Sequence, residues 1–191
     1  MDTYEKMTAK IQYPTPSTQN LFLIGMMGSW KSTVGRKLAA VLDLEFIDTD
    51  DAIEEVTEMK VDDIFQEFGE EKFREMETAF FVEKAKQTGQ LFSTGGGIVL
   101  SAENRNVLQE NGITFLLDAS PTTLAKRIHN TSKRPLLPES DNLEAQLQKI
   151  WDERRGYYTE SAHHIIATDE LHPEGVIGEI MKILGVQVAD H

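Results

Sequence analysis

Short apolar runs alternate with stretches of helical periodicity along most of the chain. Leu21-Phe22-Leu23-Ile24 is unbroken by any polar residue and stops at Gly25, as a strand buried on both faces would. From Lys31 to Leu42, the residues Val34, Leu38, Val41 and Leu42 recur at helical spacing. Glu45-Phe46-Ile47-Asp48 predicts a second strand ending in acids, followed by helical patterning over Asp51 to Val56, Val61 to Phe68 and Glu70 to about Gln87. Gln90 to Ser93 reads as a third strand. Ser101 can cap a helix running to about Glu110, Ile113 to Leu117 predicts a fourth strand ending at Asp118, and Ser120 to Ile128 is helical. Asn142 to Glu160 predicts a helix, His164 to Ala167 a fifth strand, and Pro173 to Leu184 a closing helix with proline near its start. Strands that alternate with helices pair in parallel, so the pattern predicts a layered α/β domain with its chemistry at the carboxyl ends of the strands. The polar, Pro-punctuated residues 1–19 read as a flexible N-terminal extension to a single domain over 20–191. Residues 129–141, HNTSKRPLLPESD, read as a mobile loop.

Composition narrows the picture. A length of 191 residues suits one domain with a sizeable core. Lys and Arg number 19 against 32 Asp and Glu, a formal net charge of −13, which argues against nucleic acid and anionic membrane as partners. In so acidic a chain, arginines gathered near strand ends are informative. The absence of Cys excludes disulfides, thiolate metal sites and thiol nucleophiles. Ile11 to Trp30 is uncharged but holds Pro14, Pro16, Gln19 and Asn20, so no membrane helix is expected there and the protein is expected in the cytoplasm.

Four local features carry chemistry. Between the first strand and first helix lies Gly25-Met26-Met27-Gly28-Ser29-Trp30-Lys31-Ser32-Thr33. It fits a phosphate-binding loop at Gly25, Gly28, Lys31 and Ser32, where backbone N–H groups and a helix N-terminus cradle phosphates, the lysine reaches the β and γ groups and the hydroxyl holds Mg2+. A glycine-containing turn capped by Ser29 would explain the loop without any nucleotide. The glycine usual before the lysine is Trp30, whose indole is expected to cost roughly 1–3 kcal/mol in backbone strain, or about 5- to 150-fold in nucleotide affinity. The second feature, Asp48-Thr49-Asp50-Asp51, can support a metal and hold a substrate hydroxyl, or equally can cap a helix. The third, Gly95-Gly96-Gly97 at a strand end, lets a ligand approach main-chain N–H groups. The fourth is the set Arg74, Arg127, Arg134, Arg154 and Arg155, whose planar forks match carboxylate and phosphate. His163 and His164, adjacent on a strand, point to opposite faces and read as structural or surface residues.

Taken together, GMMGSWKSTVGRKLA, FIDTDDAIE, IFQEFGEEKFREME, STGGGIV, KRPLL and ERRGYY resemble the shikimate kinase family in order and spacing, from about Leu21 to Leu184. The resemblance implies a three-layer α/β/α P-loop kinase fold with a central five-stranded parallel sheet, a substrate-binding helical region at about 49–88 and a lid at about 129–141. It implies transfer of the γ-phosphoryl group of ATP to the 3-hydroxyl of shikimate, with Mg2+, in a monomer whose partners are these small molecules. By resemblance, Lys31 contacts the β/γ-phosphates, Ser32 and Asp48 serve the metal, and Asp50 holds the substrate hydroxyls and accepts the proton. Arg74 and Arg154 grip the substrate carboxylate beside Gly95, Gly96 and Gly97, while Phe65, Phe73, Glu77 and Pro135 line or support the pocket. Gly25, Gly28, Ser29, Trp30 and Thr33 complete the nucleotide loop, Arg127 stacks on adenine, and Arg134 reaches over the transferring phosphate. The alternative is a non-catalytic protein of the same fold that binds or regulates. A kinase for a neutral polyol would leave the two converging arginines unexplained.

Overall fold

A computed structural model describes residues 19–128 and 142–186. Most of the predicted N-terminal extension and the whole predicted lid, with Arg134 and Pro135, lie outside the described residues, as do residues 187–191. Five parallel strands form the centre: β1 (Asn20–Ile24), β2 (Glu45–Asp48), β3 (Gln90–Ser93), β4 (Gly112–Asp118) and β5 (His164–Ala167), side by side in the order β2-β3-β1-β4-β5. β1 pairs with β3 on one side and β4 on the other, through Leu21↔Leu91 and Leu21↔Ile113.

The period-2 alternation of a strand sorts β1 between two cores. Leu21 and Leu23 meet Val34 and Leu38 of α1 (Lys31–Leu42) and Val176, Ile180 and Leu184 of α7 (Pro173–Leu184). Phe22 and Ile24 face the opposite way, into a core shared with Phe81 of α3 (Val61–Lys84), Leu108 of α4 (Ala102–Glu110), Leu124 of α5 (Pro121–Arg127) and Leu147 of α6 (Leu143–Ser161). The expected three-layer arrangement follows, with the inner strands β1, β3 and β4 buried and the edge strands β2 and β5 partly exposed. The chain leaves β1 toward β2 but leaves β3 toward β4. Neighbouring strands whose connections run in opposite directions open a crevice at their carboxyl ends.

Within α3 the two predicted helices are present, separated by a kink at Gly69, whose φ 82 and ψ 169 glycine bears without a side-chain penalty. Two other local readings differ from the sequence. The helix after β2, α2 (Thr49–Thr57), begins two residues earlier than predicted because Asp48 caps it, accepting a hydrogen bond from the Asp50 N–H. A 3-10 turn over Ile98–Leu100, which has no periodicity to predict it, follows the glycine triplet.

Candidate functional site

The loop from Gly25 to Trp30 joins β1 to α1 at the crevice. Gly25 has φ 141, and a Cβ there would lie 2.6 Å from the Leu117 carbonyl oxygen, so only glycine fits. Lys31 is buried, and its Nζ donates to the carbonyls of Gly25 at 2.9 Å and Met26 at 2.8 Å, holding the loop wrapped around the ammonium. Ser29 is fully buried but is not the cap that the turn reading required. The N-cap of α1 is Trp30, with no side-chain cap, at φ 70 and ψ 17 in the left-handed region. An indole residue is thus carried in a backbone geometry suited to glycine. Its ring lies against Arg127 at the end of α5, with the guanidinium carbon 3.4 Å from the ring centroid. Arg127 is fixed by donating to the Thr168 hydroxyl at 3.0 Å and to the Thr168 carbonyl at 2.5 Å.

One helical position beyond Lys31, the Ser32 hydroxyl donates to Asp48 Oδ2 at 2.6 Å and lies 3.1 Å from Ser93 Oγ. Asp48 therefore serves both readings given to it, capping α2 with one oxygen and meeting Ser32 with the other. A hydroxyl and a carboxylate, both hard oxygen donors beside a phosphate loop, form a set suited to Mg2+.

Next to the loop lies a cavity of about 610 Å³, within the usual range of small-molecule sites. Asp50, Phe65, Phe73, Arg74, the three glycines and Arg154 all line it. Arg74 donates to Glu77 Oε2 at 2.7 Å and to Glu70 Oε1 at 3.2 Å. Its guanidinium lies so close over Gly97 that a Cβ there would sit 2.3 Å from it, which is why the third glycine is needed. Phe65 and Phe73, 4.8 Å apart, flank the same guanidinium. Arg154, 7% exposed, donates to the Gly96 carbonyl at 3.1 Å, so two cations converge on one triplet. The Thr49 hydroxyl accepts from the Gly95 N–H at 2.9 Å and ties the triplet to α2.

Burial raises the Asp50 carboxyl to about 7, helped by the negative charges of Glu77 and Asp48 and opposed by Lys31 and Arg74. Glu77, 1% exposed, is also raised by burial, against the pull of Arg74 and Arg154. Burial would lower Arg74, but Glu77 and Glu70 outweigh it and hold the guanidinium charge firmly. The site thus contains a proton acceptor poised near neutrality, two fixed cations and an anion loop, the parts that phosphoryl transfer to an anionic alcohol requires.

Tyr158 escaped the sequence reading. It is fully buried, its hydroxyl donates to the same Gly96 carbonyl as Arg154, and its ring stacks on Trp151. The spacing of Arg154 and Tyr158 within ERRGYY, four residues on a helix, was the available signal. Lys60, which also lines the cavity, offered none.

A family model described as shikimate kinase matches residues 27–185. A shikimate kinase of Rippkaea orientalis is 42% identical over 165 residues, covering 86% of this chain and 87% of its own. One from Legionella pneumophila is 41% identical over 166 residues, covering 87% and 94%. Among solved structures, shikimate kinase from Acinetobacter baumannii in complex with shikimate superposes with a TM-score of 0.84 at 33% identity, over 88% of this chain and 94% of the other. A gluconokinase from Sinorhizobium meliloti, at 17% identity and a TM-score of 0.54 over 90% and 93%, shares the fold.

Proposed function

This chain belongs to the shikimate kinase family, and from that premise we propose that it transfers the γ-phosphoryl group of ATP to the 3-hydroxyl of shikimate. The observation that carries the reading is the convergence of Arg74 and Arg154 on the glycine triplet, in a cavity that also contains Asp50. Two fixed guanidinium groups lining one cavity suit a carboxylate; a neutral polyol would not explain why both face it.

In this reading Arg74 and Arg154 hold the substrate carboxylate, and Phe65 and Phe73 pack beside its ring. Asp50, with a pKa near 7, receives the proton of the attacking hydroxyl as the oxygen bonds to the γ-phosphorus and ADP leaves with the electrons of the broken bond. Lys31, next to the loop amides, turns toward the β/γ-phosphates, and Arg127 faces the base. Ser32 and Asp48 would hold Mg2+, whose charge offsets that of the phosphates when bound. Arg134 and Pro135 keep their expected roles over the phosphate and substrate. The protein is proposed to act as a cytoplasmic monomer; no helix among the described residues is long and apolar enough to cross a membrane.

Trp30 favours a second reading. In it, the stack of the indole on Arg127 lowers nucleotide affinity and in the limit leaves a non-catalytic protein of the same fold that binds or regulates. The deciding experiment is ADP formation with and without shikimate, with the phosphate position in the product read by NMR. Shikimate-dependent ADP and a 3-phosphate support the kinase. Shikimate binding without turnover supports the second reading, and no shikimate binding overturns both.

A further inference from the structure

The Trp30 ring, as distinct from its backbone in the loop, is held by contacts on both sides. The indole packs against the hydrophobic cluster between α1 and α7 on one side and carries the Arg127 guanidinium on the other, 3.4 Å from its centroid. That separation is a single stacked layer, so no second ring fits between them. Arg127 cannot easily swing away to make room, because Thr168 accepts from its guanidinium at both the hydroxyl and the carbonyl, and Thr168 is itself fully buried.

The rest of the loop is undisturbed by the indole. Lys31 still gathers the Gly25 and Met26 carbonyls, the Ser29 N–H donates to the Met26 carbonyl at 3.3 Å, and the Trp30 carbonyl accepts from the Val34 N–H at 2.8 Å. The tryptophan therefore intrudes beside the anion loop and leaves the cradle itself formed. A flat cation anchored next to a triphosphate loop is a platform for an aromatic base, and here a bicyclic ring of about purine size already rests on it.

We propose that Trp30 is an internal competitor for the nucleotide base: its indole fills the stacking seat on Arg127, and a purine nucleotide takes that seat only by expelling it. This rests on the kinase reading above and deepens it. The nucleotide site would be self-occupied at its base end and open at its phosphate end. Trp30 then sets nucleotide affinity through the base, and leaves the phosphates untouched.

Binding of ATP and of inorganic triphosphate, measured without shikimate on the native chain and on Trp30→Ala, separates the two ends. Alanine keeps a Cβ at the left-handed position and removes only the ring. The proposal expects ATP to bind about twofold to fivefold more tightly to the variant, the worth of one exposed cation–aromatic stack, with triphosphate unchanged. Equal gains for both ligands would mean that the indole obstructs the phosphate cradle, and unchanged or weakened ATP binding would mean that it does not compete; either result overturns the proposal. A second measurement uses Trp151→Phe, which leaves Trp30 as the sole tryptophan of the two in the chain. Saturating ATP should shift Trp30 emission toward that of a solvated indole; an unshifted spectrum overturns the proposal even if triphosphate binds too weakly to measure. Because shikimate is absent, a chain that behaves as expected here but fails to phosphorylate shikimate sinks the proposed function and leaves this inference standing.

Discussion

At the β3 end of the crevice the protein's own groups hold the charged side chains in place: Glu77 and Glu70 hold Arg74, the Gly96 carbonyl accepts from Arg154, and Thr49 anchors the triplet that both arginines overlie. At the β1 end the lysine is folded back on its own loop carbonyls, and an indole rests on the arginine beside it. The first half presents fixed charges to whatever enters, so little reorganisation is needed on binding. The second half has internal partners that a ligand must replace. Such a contrast predicts that changes at the β3 end act on shikimate and on the chemical step, and changes at the β1 end act on nucleotide alone.

Asp50→Asn breaks the comparison most sharply. Transfer should fall by about 10²–10⁴-fold, the usual contribution of a general base, with ATP affinity nearly unchanged; equal loss of both would remove Asp50 from the substrate side. The same variant tests the raised pKa. Between the unfolded value of 3.8 and the folded value of about 7, the folded protein keeps a proton that the unfolded chain has lost, so this group lowers stability as pH rises through that window. Asp50→Asn should therefore match the native chain below pH 3.8 and gain up to about 4 kcal/mol above pH 7, measurable by denaturant unfolding across pH. Turnover of the native chain should rise as pH passes about 7, where the folded carboxyl loses its proton.

Arg154→Ala comes next. It removes a nearly buried cation, and shikimate affinity measured by calorimetry should drop by about thirtyfold or more while ATP affinity stays the same. Gly97→Ala pushes a methyl group into the Arg74 guanidinium. It should cost about 1–3 kcal/mol in stability and weaken shikimate selectively, since the arginine must move to make room. Trp30→Gly has the smallest expected effect on stability. Relief of the left-handed strain should add about 1 kcal/mol, read as a modest rise in unfolding midpoint.

Much of the fold was legible because its signals are local. The apolar runs gave all five strands, α1, β2, β3 and β5 fall where the patterning puts them, and the Ser101 cap is present as a hydrogen bond from the Asn104 N–H. The glycine triplet and the two acids after β2 announced a site through residue type and position at strand ends. What the sequence hid are contacts between residues far apart in the chain. Nothing local predicts that Trp30 meets Arg127, or that burial, with the Glu77 charge added, lifts the Asp50 pKa. Trp30 was foreseen as a source of strain in the loop, and its left-handed backbone at φ 70 bears that out; which residue its ring would stack on was not legible.

The account stands or falls on a complete shikimate end beside a nucleotide end covered by one side chain. Steady-state phosphorylation of shikimate by the native chain and by Trp30→Gly, with both substrates varied, tests it most directly. The expected result is the same KM for shikimate in both proteins and a lower KM for ATP in the variant. A change that falls on shikimate, or an absence of shikimate-dependent ADP from both proteins, would contradict it.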